Sequence, residues 1–371
     1  MFKKSMAALA VLSLSAGLAS ASEVTLYGIV DNGLLYKHAK VETNGVSTKT
    51  DSFALESGIS SPSRFGIKGS EDLGNGMKVS FQLENGFKAD SGEFKTEGKL
   101  FDRQATVALS SDFGTLTMGR VGGIGSGAGF DIVYLTGDSF DGGCGDVLGL
   151  VQSARYDNMI TYQTPKFAGL QATVQYSFNE DSVNDKDREG SSAVNRYASA
   201  ALTGDFGALQ TVLAYEFQNY QSFGTDVNPS VEDGHTVYLG GNYDFEVAKV
   251  FVMGQYFKGL AENPFAADAF EGHPVDGEGV KGFGAHVGTI VPVAGGDFTG
   301  GLYYVDSTVK YAEEDADGKY YGVALKYEYP LSKRTSVYGG TGWYKAKVDY
   351  SADDVYKEEA YQAYLGLTHC F

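Results

Sequence analysis

The residues that most constrain this chain are its last eleven, Tyr361 to Phe371. Counting back in twos from Phe371 puts His369, Leu367, Leu365, Ala363 and Tyr361 on one face of an extended strand. The other parity holds Cys370, Thr368, Gly366, Tyr364 and Gln362. One face is apolar with aromatics near its ends, and the other is small or polar. That is the pattern of a strand with lipid on one side and water on the other. The chain stops on this strand, so no tail is expected beyond the membrane.

The other end agrees. Lys3 and Lys4 precede a short apolar stretch, Met6 to Leu18, and Ala19-Ser20-Ala21 has the form of a cleavage site. This predicts a secretory signal peptide over residues 1–21, with residues 22–371 as one mature unit. The apolar stretch is too short for a membrane helix, and no second long apolar run follows. Export combined with an amphipathic strand predicts a β-barrel, because only a closed barrel lets strands satisfy their backbone groups in lipid.

Runs with period 2 recur along the whole chain. In Met77 to Glu84, Met77, Val79, Phe81 and Leu83 oppose Lys78, Ser80, Gln82 and Glu84. In Lys319 to Tyr329, Tyr321, Val323, Leu325, Tyr327 and Tyr329 oppose Tyr320, Gly322, Lys326 and Glu328. Such alternation excludes helices. The pattern predicts sixteen strands, the first near Val24 to Tyr36, then a long connection, then Phe53 to Ser70. Connections alternate long and short, as extracellular loops and periplasmic turns do in outer-membrane barrels. The fold class is therefore all-β, a 16-stranded antiparallel transmembrane β-barrel. A lumen of that size is too wide for side chains to fill. The third long connection, Val121 to Ala154, is expected to fold inward and narrow it. It carries Ile132, Val133, Tyr134, Leu135 and Leu148 to Val151, more apolar surface than an external loop should show.

Composition supports strands and limits function. The chain has 25 Tyr and 23 Phe against seven Pro and one Trp, and 50 Gly for turns and close approaches. A net charge of −18 excludes nucleic acid as a partner that binds by counterion release. Cys144 and Cys370 are expected to be free thiols, because one lies in a long connection and the other ends the last strand.

Enzyme constellations are missing their parts. The five histidines, His38, His235, His273, His286 and His369, form no metalloprotease motif. Gly123-Ile-Gly-Ser-Gly127 resembles a nucleotide loop, but no helix pattern follows it. Asp138, Asp141 and Asp146 are oxygen ligands that would suit calcium, yet their spacing fits no EF-hand. No cofactor and no metal is expected.

At this point the chain resembles the Gram-negative general porin family, of the neisserial and burkholderial type. The resemblance rests on Val24-Thr-Leu-Tyr-Gly28, on Ser63-Arg-Phe-Gly-Ile-Lys-Gly-Ser-Glu-Asp-Leu-Gly-Asn-Gly76 and on Phe81-Gln-Leu-Glu84. It continues through Arg103-Gln-Ala105, Phe113-Gly-Thr-Leu-Thr-Met-Gly-Arg120, Arg155-Tyr-Asp-Asn158 with Thr164-Pro165, and Gly366 to Phe371. It implies a homotrimer in the cell outer membrane, surrounded by lipid, in which Lys88 to Lys99 latches onto a neighbour. It implies that Phe371 is an assembly signal read by the barrel-assembly machinery. It also implies arginines on the wall facing the third loop. The ending departs from the family with Thr368 in place of the usual Arg and with Cys370.

The expected function is a water-filled channel for passive diffusion of small hydrophilic solutes and ions. The alternatives are a substrate-specific channel for sugars or carboxylates and, more remotely, an outer-membrane hydrolase or a surface adhesin. Arg64 lies on the lumen parity of its strand; on the lipid face it would cost roughly 2–4 kcal/mol. Arg155 and Arg103 match the family motifs. For Arg103, either a bulge resets the register or the side chain sits near an interface, because its parity neighbours are Ala105, Val107 and Leu109. The same ambiguity covers Arg120. Opposite these four arginines the expected acidic partners are Asp131, Asp138, Asp141 and Asp146. The preferred ion stays open. Many members of the family favour anions, while the acid-only loop leans toward cations.

Overall fold

The computed structural model describes residues 23–125, 129–140, 150, 154–178, 196–219, 232–260, 278–310, 315–350 and 355–371. The signal-peptide segment lies outside them, as do Asp141, Cys144 and Asp146. Strands β1 (Glu23–Thr43), β2 (Val46–Ser57), β3 (Arg64–Gly74), β4 (Met77–Gly86), β5 (Gln104–Ser111) and β6 (Gly114–Gly122) come first. A short helix α1 (Ile132–Gly137) separates them from β7 (Arg155–Gln163), β8 (Leu170–Ser177), β9 (Arg196–Phe206) and β10 (Leu209–Asn219). Then follow β11 (Gly234–Asp244), β12 (Lys249–Leu260), β13 (Val280–Val293) and β14 (Gly296–Lys310). The last are β15 (Asp315–Pro330), β16 (Thr335–Asp349) and β17 (Val355–Cys370).

Every neighbouring pair is antiparallel, and β1 closes the ring against β17 from Ile29↔Cys370 to Thr43↔Tyr356. One edge of β1 meets β3 at Glu23 to Ile29 and β2 at Asn32 to Thr43. β2 and β3 thus share one position, and the barrel has sixteen. No helix among the described residues is long and apolar enough to cross a membrane, so the crossing is made by strands.

Exposure alternates as the sequence requires. In β15, Tyr321, Leu325 and Tyr329 are about two-fifths exposed, while Tyr320 and Ala324 are fully buried. In β17, Leu365 is exposed and Tyr364 is buried. The outward parity is the lipid face and the inward parity lines the lumen.

Two features of the first hairpin differ from the sequence expectation. The long connection expected after Tyr36 is strand: β1 runs on to Thr43 and turns at Asn44-Gly45. Both turn residues are left-handed, with φ of 51° and 80°, the geometry that makes Asn-Gly a tight hairpin turn. The strand expected over Phe53 to Ser70 is also broken at residues 58–63. Gly58 has φ of 73° and Pro62 has no N–H for the ladder, so the backbone leaves the sheet.

Buried Asp31 holds that break. Its Oδ1 accepts from Ile59 N–H at 2.9 Å and Tyr338 O–H at 2.7 Å. Its Oδ2 accepts from Ser61 N–H at 3.2 Å and Thr368 O–H at 2.6 Å. Charge-assisted bonds of this kind are about twice as strong as neutral ones. Thr368, the departure from the family pattern, is therefore a donor to this carboxylate. At the chain end, Phe371 N–H donates to the Gly28 carbonyl at 3.0 Å and its own carbonyl accepts from Gly28 N–H at 3.1 Å. A Cβ on Gly28 would lie 2.3 Å from the Phe371 ring, so the ring covers β1 only where a glycine stands.

Candidate functional site

The arginines converge at the loop-side ends of β3 to β7. Arg103 precedes β5 rather than belonging to it, so the parity of Ala105, Val107 and Leu109 never applied to it. Its Nε donates to Glu84 Oε1 at 2.6 Å, and both side chains are over nine-tenths buried. Glu84 Oε2 accepts from Tyr27 O–H at 2.8 Å, and Gln82 Nε2 donates to the Tyr27 oxygen at 2.7 Å. Arg120 is brought inward by a bulge. The β6–β7 register shifts after Gly119, and Gly119 and Asn158 have φ of 128° and 53°. Arg120 Nη1 then reaches Asp157 Oδ1 at 2.6 Å, and Lys99 Nζ takes Asp157 Oδ2 at 2.9 Å. Arg120 Nε donates to the Asp102 carbonyl at 2.8 Å. Arg64 Nη1 donates to the Pro62 carbonyl at 3.4 Å, beside the break in the sheet.

The segment 129–140 sits between this group and the facing wall. At its near end, Asp131 stands at the N-cap position of α1 in a left-handed conformation with φ of 47°, without a side-chain capping bond. Burial raises the Asp131 carboxyl to about pKa 6, while the positive charges of Arg103, Arg64 and Arg155 oppose that rise. Asp131 thus lies within the field of three of the four sequence-predicted arginines.

The far end is fixed to inward side chains of the opposite wall. Asn242 Nδ2 donates to the Thr136 carbonyl at 2.9 Å. Tyr303 O–H donates to Asp138 Oδ1 at 3.1 Å, and Ser139 O–H donates to the Gly300 carbonyl at 3.2 Å. His286 Nε2 is 3.3 Å from Asp138 Oδ1, and both side chains have no exposed surface. Val133 and Ile124 are fully buried, each a contribution of roughly 1.5–3 kcal/mol. α1 approaches β12 closely enough that a Cβ on Gly137 would meet the Met253 sulfur at 2.7 Å.

The structure therefore brings together Arg64, Arg103, Arg120, Arg155 and Asp131, and separates Asp138 from them. Asp138 is part of an anchor on β13 and β14. Asp141 and Asp146 lie outside the described residues. Sequence reasoning did not single out Glu84, Asp157, Lys99 and Tyr27, which balance the arginines, nor His286 and Tyr303, which hold the segment. Glu84 carried a usable signal, a carboxylate on the lumen parity of β4. Asp157 had none, because the bulge at Asn158 overrides its parity. Cys370 carries a free thiol.

Comparison with known proteins agrees along the whole chain. A family model described as Gram-negative porin matches residues 8–349. An outer membrane porin protein of Bordetella pertussis is 34% identical across 98% of this chain and 98% of its own length. An anion-selective porin from Comamonas acidovorans superposes with a TM-score of 0.65 at 27% identity, covering 95% of this chain and 100% of its own. OmpT of Vibrio cholerae, solved in a trimer form, superposes with a TM-score of 0.60 at 18% identity, covering 93% and 100%.

Proposed function

Since the chain belongs to the Gram-negative porin family, and is an outer-membrane channel rather than an enzyme, we propose that it passes small hydrophilic solutes and ions by passive diffusion through an off-centre constriction. The constriction is formed by segment 129–140 on one side and by Arg64, Arg103, Arg120 and Arg155 on the other. The observation that supports this is the placement of Asp131. It feels the charges of Arg64, Arg103 and Arg155 at one end of a segment whose other end is bonded to Tyr303 and Gly300. A segment that comes under the arginines' charge at one end and is bonded to the opposite wall at the other supports a path across the lumen. The water path then runs along β3 to β7.

The same geometry favours anions, against the lean read from the loop acids. Asp138 is buried in its anchor, Asp157 is shared by Arg120 and Lys99, and Glu84 by Arg103 and Tyr27. These pairs are locally neutral, but the five cations Arg64, Lys99, Arg103, Arg120 and Arg155 outnumber the four carboxylates beside them, Glu84, Asp102, Asp131 and Asp157, by one. Zero-current potentials in a KCl gradient across a planar bilayer test this. Anion preference that falls on Arg64→Ala or Arg155→Ala is the expected result, and cation preference of the unmodified protein would sink it.

The trimer is part of the proposal. Residues 88–99 are held internally by Lys88–Glu93 at 2.9 Å and joined to their own barrel by Lys99–Asp157 at 2.9 Å, leaving Phe94 and Leu100 more than half exposed. Those two side chains are the proposed contact with a neighbour. Phe371, exposed on the lipid face beside Gly28, is the proposed assembly signal. Deleting it should lower outer-membrane yield without altering the conductance of assembled channels. An undiminished yield would remove that role.

A further inference from the structure

A cavity of about 420 Å³ opens along β3 and β4, on the short-turn side of the arginine group. Its lining includes Lys68, Lys78, Ser70, Thr106 and Thr117, with Phe130 from the crossing segment. Two lysines line it and no carboxylate does, in a chain whose net charge is −18. The nearby acids are turned away. Both oxygens of Glu84 are taken by Arg103 and Tyr27. Asp72, opposite Lys78 in the ladder, accepts from Gly74 N–H at 2.8 Å within the turn. The Lys68 ammonium lies 5.0 Å above the Tyr27 ring, which fixes it against the wall.

The spacing of the cations follows from the register. Arg64 pairs with Gly86, Lys68 with Gln82 and Asp72 with Lys78. Each step is four residues, about 13 Å at the rise of a strand. An ion midway between two of them is then about 6–7 Å from each. Charges are screened over about 8 Å at physiological ionic strength, so an anion on this path never leaves the field of one cation before entering the next. The hydroxyls of Ser70, Thr106 and Thr117 between them are donors for an oxyanion. A single constriction needs none of this.

We propose that this cavity is a second binding station, below the constriction, for small oxyanions bearing carboxylate or phosphate groups. Lys68 and Lys78 provide the charge and the hydroxyls provide hydrogen bonds. The proposal rests on the channel reading above and names the solute class it carries.

The test is block of chloride current by inorganic phosphate, and separately by succinate, added on the short-turn side of oriented channels in a planar bilayer. The expected result is a saturable reduction by at least one of the two. In Lys68→Gln/Lys78→Gln the half-blocking concentration should rise about five-fold or more, the scale of two partly exposed charge contacts. Lys49→Gln, at the exposed first hairpin, should leave it unchanged. Conduction of chloride with no saturable effect of either anion, or an equal half-blocking concentration in the double variant, would overturn the station while leaving the channel intact. A folded protein that conducts nothing would overturn the channel reading itself.

Discussion

On the inner wall from β3 to β6 the side chains are Arg64, Lys68, Gln82, Glu84, Thr106 and Thr117. On the inner wall from β10 to β14 they include Val212, Ala214, Tyr238, Met253, Phe257, Tyr303 and Val305, all nearly inaccessible. The first wall is charged and borders a cavity. The second is mostly apolar with buried polar groups such as Glu216, Asn242, Gln255 and His286, and α1 is set against its strands β10, β11 and β12. One wall thus borders open space and the other packs against segment 129–140, which is where the proposed solute path divides them. The contrast explains why conspicuous loop acids such as Asp138 differ in role. Asp138, which reaches the second wall, is bonded there to Tyr303, while Asp131, near the first, lies under the charges of the arginines.

Breaking the charged wall should have the largest effect. Arg103→Ala leaves Glu84 buried beside Tyr27 without its cation, which costs about 3–5 kcal/mol. Urea unfolding in detergent micelles should show it, and Glu84→Gln in the same chain should recover part of the loss. A loss under about 1 kcal/mol would mean that water, not protein, surrounds the pair.

The anchoring wall comes next. Asp138→Ala removes the acceptor of the Tyr303 hydroxyl and the partner of His286, worth about 1–3 kcal/mol. The outcome expected is larger and noisier single-channel current with unchanged trimer content. Unaltered current would show that the segment is held by its apolar contacts alone.

Arg64→Ala sharpens the comparison from the solute side. A unit charge at the narrow point is worth on the order of 1–4 kcal/mol to a passing ion before screening. The anion-to-cation ratio should fall several-fold, while unfolding in urea moves little.

A smaller effect should follow pH. Burial raises Asp131 from the usual carboxylate range to about 6. Below that pH it is neutral and one of the negative charges opposing the arginines is removed. As pH rises through about 6 it becomes charged, and anion preference should decline. The stability sign is the same: the contribution is present in acid and lost as pH rises through the raised value. Asp131→Asn should flatten both pH dependences, and a slope that survives it would assign the titration to another group. The least effect is expected at the rim. Asp51, exposed on the first hairpin, is beyond screening distance of the constriction, so Asp51→Asn should leave the reversal potential unmoved.

Much of this was written locally. Strand alternation is a property of neighbouring residues, so the two faces of each strand and the inward parity of Arg64 and Glu84 follow from period 2, while the sixteen-strand barrel also needed the export reading and the alternating connection lengths. The same is true of the terminal strand, where Leu365 and Leu367 face out and Tyr364 and Thr368 face in. What alternation cannot carry is any place where the ladder is interrupted. The bulge at Gly119 and Asn158 turned Arg120 and Asp157 toward each other. The break at residues 58–63 exists because Asp31, Tyr338 and Thr368 meet around it from strands far apart in sequence. The division of the loop acids, Asp131 toward the arginines and Asp138 into a pocket with His286 and Tyr303, depends on contacts spanning about half the chain. Periodicity fixed which way each strand faces because a side chain's direction depends only on its own backbone. Charge pairing was left to the closed barrel, because only closure brings remote carboxylates and guanidinium groups within reach of one another.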